Sequence, residues 1–273
     1  MKIWVNGALH TAEGALVSVL DHGLTVGDGI FETVKTVQGR PFALTRHLDR
    51  LSRSARGLGL PEPDLDEVRR ACAAVLDANP VELGRLRITY TGGLSPLGSD
   101  RGEAGPTLVV AVGGTKRRPD TTAAITVPWT RNERGAVTGL KTTSYAENVV
   151  ALARAREGDA SEALFANTVG ALCEGTGSNV FVVLDGELHT PPLASGCLAG
   201  ITRALTAEWC GAHETDLPLD VLERADEIFL TSTLRDVQAV HRLDDRQLPA
   251  APGPVTTKAM RVFEERAGAD LDP

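Results

Sequence analysis

The sequence predicts a mixed α/β protein made of two domains, and three observations support this prediction. Strand-like runs of apolar and β-branched residues alternate with helix-like patterns along most of the 273 residues. Residues 113–119 are rich in turn formers and charge, and they separate two such stretches. A hydrophobic share of 42% in a chain of this length is enough for sizeable cores, so a mainly disordered chain is excluded. We expect an N-terminal domain over 1–113, a linker over 114–119 and a C-terminal domain over 120–273.

The first half contains four predicted strands and two predicted helices. The strands cover residues 2–5, 30–37, 85–91 and 107–112. Thr45 is predicted to cap a helix that ends before Gly59, because Leu48, Leu51 and Leu58 recur at helical spacing. A second helix is predicted over residues 64–77. This half is therefore an α/β domain with few long parallel crossovers.

The second half also mixes strands and helices. Strands are predicted over residues 121–127, 162–166, 180–184 and 227–231. Asp185 and Gly186 lie between two strand patterns and indicate a hairpin. Ser144 and Glu147 have the spacing of a capping box, which places Lys141 just before a helix. The tail, residues 268–273, is expected to be frayed.

Composition and charge exclude several functions and locations. A net charge of −8 does not suit binding to nucleic acid, because backbone recognition requires a basic face. The chain has no apolar run of the length that a membrane helix needs, and its start lacks the core of a signal peptide. The four cysteines form no CxxC pair, which is typical of buried thiols in a reducing compartment. We expect a cytoplasmic protein that binds neither nucleic acid nor a membrane.

Lys141 is the first candidate for chemistry. It lies in an uncharged stretch, GLKTTSY over residues 139–145, at a predicted strand end. Loss of solvation at such a place favours the neutral amine that nucleophilic catalysis requires. By itself the pattern is more typical of a surface lysine before a helix.

Glu174 and two hydroxyl-rich segments are further candidates. Glu174 lies in CEGTGSN, residues 173–179, between a strand and a glycine-rich turn. A carboxylate there is suited to holding a pyridine nitrogen protonated, although a plain β-turn has the same composition. Residues 200–203 and 231–233 offer helix-start N–H groups and hydroxyls for a phosphate, or simply a helix cap. Arg50 is a candidate phosphate cation or an exposed helix arginine.

Taken in order, six segments resemble the class IV aminotransferases and their lyase relatives, which are pyridoxal-phosphate enzymes of fold type IV. The segments are DHGLTVGDGIFET (21–33), HLDRL (47–51), LK (140–141) with the helix after it, CEGTGSNVF (173–181), AGITR (199–203) and EIFLTST (227–233). The resemblance covers residues 3–257, and six segments in one order are more specific than any one alone. It implies a D-amino-acid-aminotransferase-like fold of two α/β domains, with pyridoxal 5′-phosphate at the domain interface, and a homodimer.

The same resemblance implies a role for individual residues. Lys141 is the Schiff-base lysine and proton shuttle, and Glu174 pairs with the pyridine nitrogen. The residues implied to hold the phosphate are Arg50, Ile201, Thr202 and Thr233. Arg131 is implied as a partner of the ring hydroxyl, and the residues implied to contact a small-molecule amine substrate are Tyr145, Thr233 and Leu234.

Three functions are compatible with the sequence, and the sequence places an aminodeoxychorismate lyase first. Thr33 favours an aminodeoxychorismate lyase, because the lyases that this chain resembles carry threonine at this position and its hydroxyl is suited to proton delivery. Such a lyase forms pyruvate and 4-aminobenzoate, and 4-aminobenzoate is used in folate synthesis. Thr33 equally suits a β-branched strand position. Against the lyase, residues 91–98 (TGGLSPLG) lack the arginine-bearing loop that grips a carboxylate, and Arg101 is displaced. A class IV aminotransferase acting on branched-chain or D-amino acids is the alternative, and a non-catalytic cofactor-binding protein is the third.

Overall fold

Two structural units divide the chain, and the computed structural model describes both over residues 1–273. Unit 1 comprises residues 1–116, 140–144 and 271–273, and unit 2 comprises residues 117–139 and 145–270. The change from one unit to the other at residue 116 falls within the predicted linker. Two short segments differ from the prediction that all of 120–273 forms one domain, because the segment with Lys141 and the last three residues belong to unit 1.

Unit 1 is built on an antiparallel sheet of six strands in the order β2-β1-β6-β5-β3-β4. Its strands are β1 (Lys2–Val5), β2 (Ala8–Thr11), β3 (Gly29–Val37), β4 (Arg40–Pro41), β5 (Leu83–Thr91) and β6 (Thr107–Gly114). Its helices are α1 (His22–Thr25), α2 (Leu44–Leu58) and α3 (Leu65–Ala78). The four strands and two helices predicted in this half are all present, with ends that shift by one or two residues.

The residues of β3 and β5 alternate between the two faces of this sheet. Ile30, Val34, Leu86 and Ile88 are fully buried, and they form one core with apolar residues of α2 and α3. The residues between them therefore lie on the opposite face, since successive side chains in a strand point to opposite sides. That face carries Phe31, Thr33 and Lys35 of β3 and Arg85, Arg87 and Thr89 of β5, which are direct cross-strand partners.

Residues 140–144 and 271–273 join unit 1 through hydrogen bonds. The backbone N–H of Phe31 donates to the Lys141 carbonyl at 2.9 Å. The Ala43 N–H donates to the Leu271 carbonyl at 2.6 Å, and the Asp272 carboxylate accepts from Thr45 N at 2.8 Å and from Thr45 Oγ1 at 2.6 Å. The predictions of a Thr45 cap and of a frayed tail are therefore wrong. Asp272 caps α2, a favourable place for a carboxylate because the first N–H groups of a helix lack intrahelical acceptors.

Unit 2 is built on a mixed sheet of nine strands. Its strands are β7 (Thr121–Arg131), β8 (Glu162–Asn167), β9 (Leu172–Gly175), β10 (Asn179–Leu184), β11 (Glu187–Thr190), β12 (His213–Glu214), β13 (Glu227–Ser232), β14 (Asp236–Leu243) and β15 (Arg246–Gln247). Its helices are α4 (Ala146–Glu157), α5 (Ile201–Cys210), α6 (Val221–Arg224) and α7 (Pro254–Ala269). The strand order is β12-β11-β10-β13-β14-β7-β8-β9, and β15 pairs with β14.

The four strands predicted in the second half are present in this sheet, and the predicted hairpin is confirmed. Asp185 and Gly186 both have positive φ angles, 50° and 80°, as the tight turn between β10 and β11 requires. The capping box is wrong. Tyr145 is the N-cap of α4 and makes no side-chain cap, Ser144 Oγ donates to the Gly27 carbonyl at 3.1 Å, and Glu147 pairs with Arg131. No helix of the chain is both long and apolar enough to cross a membrane.

Candidate active site

Lys141 is held by backbone contacts against the start of β3 in unit 1. Its carbonyl accepts from Phe31 N, its own N–H donates to Ser54 Oγ at 3.2 Å, and Thr143 N donates to the Gly29 carbonyl at 2.8 Å. The Lys141 Nζ lies 4.4 Å from the centroid of the Phe31 ring, and the residue is half-buried. These contacts fix the backbone of the segment and hold the lysine beside an aromatic ring of the same unit.

Arg50 is buried in an ion pair that the sequence did not reveal. It lies on α2 with 3% of its surface exposed, and its guanidinium donates from Nε to Glu32 Oε1 at 2.8 Å and from Nη2 to Glu32 Oε2 at 2.7 Å. His47 Nδ1 lies 2.7 Å from the same Oε2. The exposed-helix alternative for Arg50 is therefore wrong. Glu32 occupies a core position of β3 between Ile30 and Val34. A carboxylate among apolar core positions is the sequence signal by which a buried ion pair was recognisable.

The charges of this cluster follow from burial and pairing. Burial alone would raise the pKa of Glu32, but the Arg50 charge and the hydrogen bonds from Arg50 and His47 outweigh it and hold that pKa well below its usual 4.5. Burial lowers the pKa of His47 against the opposing pull of Glu32, so that the imidazole is neutral near pH 7. Glu32 and Arg50 thus form a charge-balanced pair beneath the sheet.

Arg87 also lies beside Lys141, although the sequence did not single it out. It is the cross-strand partner of Thr33, and its guanidinium carbon lies 3.4 Å from the centroid of the Phe31 ring. Its Nε donates to Thr89 Oγ1 at 3.2 Å. The Phe31 ring therefore contacts both Lys141 and Arg87. The predicted catalytic residue Thr33 is on the same face of β3 as Phe31.

Arg101 makes hydrogen bonds that hold the loop after β5 to other parts of unit 1. It donates from Nε to Asp28 Oδ2 at 2.7 Å and from Nη2 to Asp28 Oδ1 at 2.6 Å, and it also donates to the carbonyls of Leu58 and Gly59 at the end of α2. His22 joins the same carboxylate through Nδ1 at 2.9 Å. The hydrogen bond from Arg101 lowers the pKa of Asp28 despite partial burial. Arg101 therefore does not replace the arginine that the 91–98 loop lacks.

Glu174 lies on β9 of unit 2, and its carboxylate has a fixed orientation. Its Oε2 accepts from the Leu198 N–H at 2.9 Å, and Arg131 Nε lies 3.3 Å from its Oε1. Arg131 in turn pairs with Glu147 and stacks on Phe165, with 4.1 Å from Cζ to the ring centroid. Glu174 is therefore not the solvated turn residue of the alternative interpretation, and it belongs to a network with Arg131.

The glycine-rich turn after Glu174 is organised by a second carboxylate, Glu162, which the sequence did not reveal. Glu162 is buried on β8 and accepts from Thr176 N at 2.9 Å, from the Thr176 hydroxyl, and from Ser178 Oγ at 2.7 Å. Arg235 Nη2 lies 3.5 Å from the same carboxylate. A side chain at Gly175 would meet Glu162 Cδ at 2.9 Å, which explains glycine at this position.

Helix α5 begins beside this network, in the same unit. Its N-cap is Gly200, which supplies no capping side chain, and Ile201 and Thr202 form its buried first turn. A Cβ at Gly200 would lie 2.0 Å from Asn179 Oδ1, so the backbone approaches β10 as only glycine allows. The N–H groups of this first turn have no acceptor within the helix. They are suited to a phosphate.

The end of β13 supplies hydroxyl groups to unit 2. The buried Thr231 Oγ1 has no hydrogen-bond partner in the structure, and Thr233 and Leu234 follow in a half-buried turn. Glu174 accepts from the N–H of Leu198, two residues before Gly200, so the candidate ring-nitrogen ligand and the candidate phosphate turn are close in space within unit 2. This donor set fits pyridoxal phosphate, which needs a carboxylate at one end and N–H and hydroxyl donors at the other.

The structure thus divides the predicted site residues into two sets. Unit 1 contains Lys141, Thr33 and Arg50. Unit 2 contains the remaining predicted residues, which are Glu174, Arg131, Ile201, Thr202, Thr233, Leu234 and Tyr145. Tyr145 is half-buried and directly precedes α4.

Comparison with known proteins identifies a family over most of the chain. The family model described as amino-transferase class IV matches residues 29–243. A bifunctional aminodeoxychorismate lyase / D-amino acid transaminase of Mycobacterium tuberculosis is 31% identical, with 92% of this chain and 94% of the relative covered. A branched-chain-amino-acid aminotransferase of Pseudomonas aeruginosa is 30% identical, with 96% of this chain and 91% of the relative covered.

Solved structures agree with the sequence comparison. A branched-chain aminotransferase from Thermoproteus uzoniensis, solved with norvaline, has a TM-score of 0.91 at 28% identity and covers 97% of this chain and 94% of its own. A hypothetical aminotransferase from Mycobacterium tuberculosis, solved in its PLP-bound form, has a TM-score of 0.86 at 28% identity and covers 97% of this chain and 98% of its own. Both are matched over almost their whole length.

Proposed function

This chain belongs to the class IV aminotransferase family, the pyridoxal-phosphate enzymes of fold type IV, and from that membership we propose that it is an aminotransferase acting on an amino acid and a 2-oxo acid. Its relatives include branched-chain and D-amino acid aminotransferases, so these are the two substrate classes we favour. We therefore place the aminotransferase ahead of the aminodeoxychorismate lyase, which the sequence alone had placed first.

The observation that carries the proposal is the placement of Lys141. Its backbone is fixed from Phe31 and Ser54, and its Nζ lies against the Phe31 ring. We infer that Lys141 would hold the cofactor covalently until the substrate amine displaces it, and that the freed Lys141 amine would then move a proton from the substrate Cα to the cofactor carbon. When bound, pyridoxal phosphate supplies the electron sink for this proton transfer. Because the Lys141 backbone is fixed, its amine would act at one position in the site.

The other site residues have roles in holding the cofactor. The Glu174 carboxylate would accept the proton-bearing pyridine nitrogen, and its hydrogen bond from Leu198 orients it for this role. Ile201, Thr202 and Thr233 would hold the phosphate, together with Arg50, whose Nε and Nη2 are oriented by Glu32. Arg131 is the proposed partner of the ring hydroxyl, and Tyr145 and Leu234 are proposed substrate contacts.

The test of this function is a half-reaction assay. The purified protein should be yellow and should be bleached by borohydride. Adding an amino acid should remove the yellow colour, and adding a 2-oxo acid should restore it. Lys141→Ala should have no cofactor that borohydride fixes to the protein and no turnover, whereas the exposed control Lys116→Ala should behave as wild type. A colourless protein that stays so with added pyridoxal phosphate would exclude the cofactor assignment.

A second candidate function is aminodeoxychorismate lyase activity, and one observation favours it. Thr33 lies two residues after Phe31 on the same face of β3, the face on which Lys141 contacts the ring. Its hydroxyl is therefore suited to protonating a leaving enolpyruvyl group. Pyruvate and 4-aminobenzoate formed from aminodeoxychorismate, without net loss of the yellow colour, would support the lyase. Thr33→Val should then abolish that product and leave amino-acid turnover intact.

We also propose that the chain forms a homodimer. Unit 1 exposes large apolar side chains on its N-terminal segment and on the loop after β5: Leu16, Val19, Leu24 and Leu97 are each at least 70% exposed. Exposed apolar residues in such number are typical of an interface. Light scattering after gel filtration should give twice the mass of 28.8 kDa. A monomer at micromolar concentration would contradict the proposal.

A further inference from the structure

Asn148 joins two parts of the candidate cofactor site in unit 2 through the two ends of its side-chain amide. It is a half-buried residue in the first turn of α4. Its Oδ1 accepts from Arg131 Nη1 at 3.1 Å, and its Nδ2 donates to the carbonyl of Thr176 in the turn after β9. A guanidinium only donates and a carbonyl only accepts, so these two neighbours fix which end of the amide faces which group.

The contact with Asn148 is one of several that hold the guanidinium of Arg131. Its Nη1 also donates to Glu147, and its Nε lies 3.3 Å from Glu174 Oε1. Its Cζ lies 4.1 Å from the centroid of the Phe165 ring. Its Nη2 makes no hydrogen bond within the chain, and it is therefore the donor that remains for a ligand. The guanidinium is thus oriented by the protein before a ligand binds.

The contact with Thr176 holds the turn that follows Glu174. Thr176 is buried, and its N–H and its hydroxyl both donate to the carboxylate of Glu162. Its carbonyl accepts from Asn148. The backbone of Thr176 is therefore held both by a carboxylate of β8 and by an amide of α4. Glu174 lies only two residues before it in the chain.

One amide therefore connects the two groups that would contact different parts of the pyridine ring. Arg131 is the proposed partner of the ring hydroxyl, and Glu174 is the proposed partner of the ring nitrogen. Because an aromatic ring is rigid, the separation of these two partners has to match it. Asn148 links the guanidinium to the turn directly after Glu174, so it limits how far the two partners can move apart.

Resting on the proposed binding of pyridoxal phosphate, we propose that Asn148 is a positioning residue that sets Arg131 relative to Glu174. An alanine at this position removes both hydrogen bonds. An aspartate keeps an oxygen for Arg131 but turns its second oxygen toward the Thr176 carbonyl, and two acceptors form no hydrogen bond. The two substitutions therefore separate the two contacts of the amide.

The experiment compares Asn148→Ala and Asn148→Asp with the control Val149→Ala, which changes the next residue of α4, itself 63% exposed. Each apoprotein is titrated with pyridoxal 5′-phosphate, and binding is followed by quenching of tryptophan fluorescence. Asn148→Ala should raise the Kd by about tenfold, the usual effect of losing a hydrogen bond to a charged group. Asn148→Asp should give a Kd between those of wild type and Asn148→Ala, and Val149→Ala should bind as wild type does.

A second measurement distinguishes positioning from a general effect on stability. A guanidinium beside the ring hydroxyl favours loss of the proton held there, so it lowers the pH at which the bound cofactor loses its yellow colour. In Asn148→Ala this pH should rise by about 1 unit, the lower end of the effect of one nearby charge. A merely structural role of Asn148 would lower the urea midpoint of the apoprotein and would leave this pH unchanged.

Each outcome supports or overturns the proposal. A wild-type Kd and an unchanged colour profile in Asn148→Ala would overturn it, and so would a raised Kd with a lower urea midpoint and an unchanged colour profile. If Asn148→Ala fails to fold, the Kd of Asn148→Asp decides. A wild type that binds no pyridoxal phosphate refutes the cofactor assignment and this proposal with it. A yellow wild type that converts no amino acid refutes only the aminotransferase, and the Kd and the colour profile still test Asn148.

Discussion

Replacing Glu32 by glutamine measures how much the buried ion pair of unit 1 contributes to stability. Glu32 is fully buried and Arg50 is 3% exposed, so the substitution removes a buried carboxylate charge that pairs with the guanidinium. Removing one partner of a buried ion pair costs about 3–5 kcal/mol. The glutamine oxygen retains part of the hydrogen bonding at 2.7–2.8 Å from the guanidinium, so we expect about 3 kcal/mol of lost unfolding free energy.

The pH dependence of this loss has a definite sign. The pKa of Glu32 in the folded protein is below its usual 4.5, because the Arg50 charge and the hydrogen bonds outweigh burial. Such a carboxyl stabilises the fold above its unfolded pKa, and the contribution is lost as pH falls through the folded value. The difference between wild type and Glu32→Gln should therefore be complete at pH 7 and should shrink on acidification below pH 4.5.

Urea unfolding followed by circular dichroism, with saturating pyridoxal phosphate in every sample, measures this difference. The matched control is Glu157→Gln, which removes an exposed i,i+3 pair with Arg154. Exposed pairs contribute about 0–1 kcal/mol, so the control should unfold almost as wild type does. If Glu32→Gln and Glu157→Gln shift the unfolding free energy equally at pH 7, the buried pair is not the stabilising element inferred here.

Three further predictions test other contacts. Asp272→Ala should lower the unfolding free energy by about 1 kcal/mol through loss of the α2 cap, whereas the exposed Asp245→Ala should not, as urea midpoints will show. Hydrogen bonds to the Asp28 carboxylate and to the Gly98 carbonyl raise the pKa of His22, so its stabilising contribution is complete below pH 6.5 and is lost as pH rises through the raised value. The melting-temperature gap between wild type and His22→Gln should accordingly be larger at pH 6 than at pH 9. Finally, Ellman's reagent should label at most Cys210 in the folded protein, since the other three thiols are buried and burial raises their pKa values.

Much of the fold was predictable because most strands and helices follow local patterns. The alternation of buried Ile30 and Val34 with outward-facing residues identified β3, and helical spacing identified α2. The two caps were wrong for one reason. Thr45 meets Asp272, which is 227 residues away, and Ser144 meets Gly27, which is 117 residues away. Distant partners replaced the local hydrogen bonds that the motifs predict.

The candidate site was predictable only in part. Lys141 and Glu174 lie in recognisable segments, and the family match covers both. Glu32, Glu162 and Arg87 escaped attention because their importance depends on which strand lies beside them. Arg87 reaches the Phe31 ring only because Thr33 and Arg87 are directly paired across β3 and β5, and sequence spacing does not fix that register.

Three of the arginines in unit 1 differ in the groups that hold them. Arg50 pairs with Glu32, and Arg101 pairs with Asp28, so that each guanidinium is oriented by a carboxylate of the same unit. Arg87 also lies in unit 1, where it stacks on Phe31 and donates from Nε to Thr89 Oγ1. Since strands hold side chains more precisely than loops do, the pairing of β3 with β5 fixes the position of this guanidinium relative to the Phe31 ring.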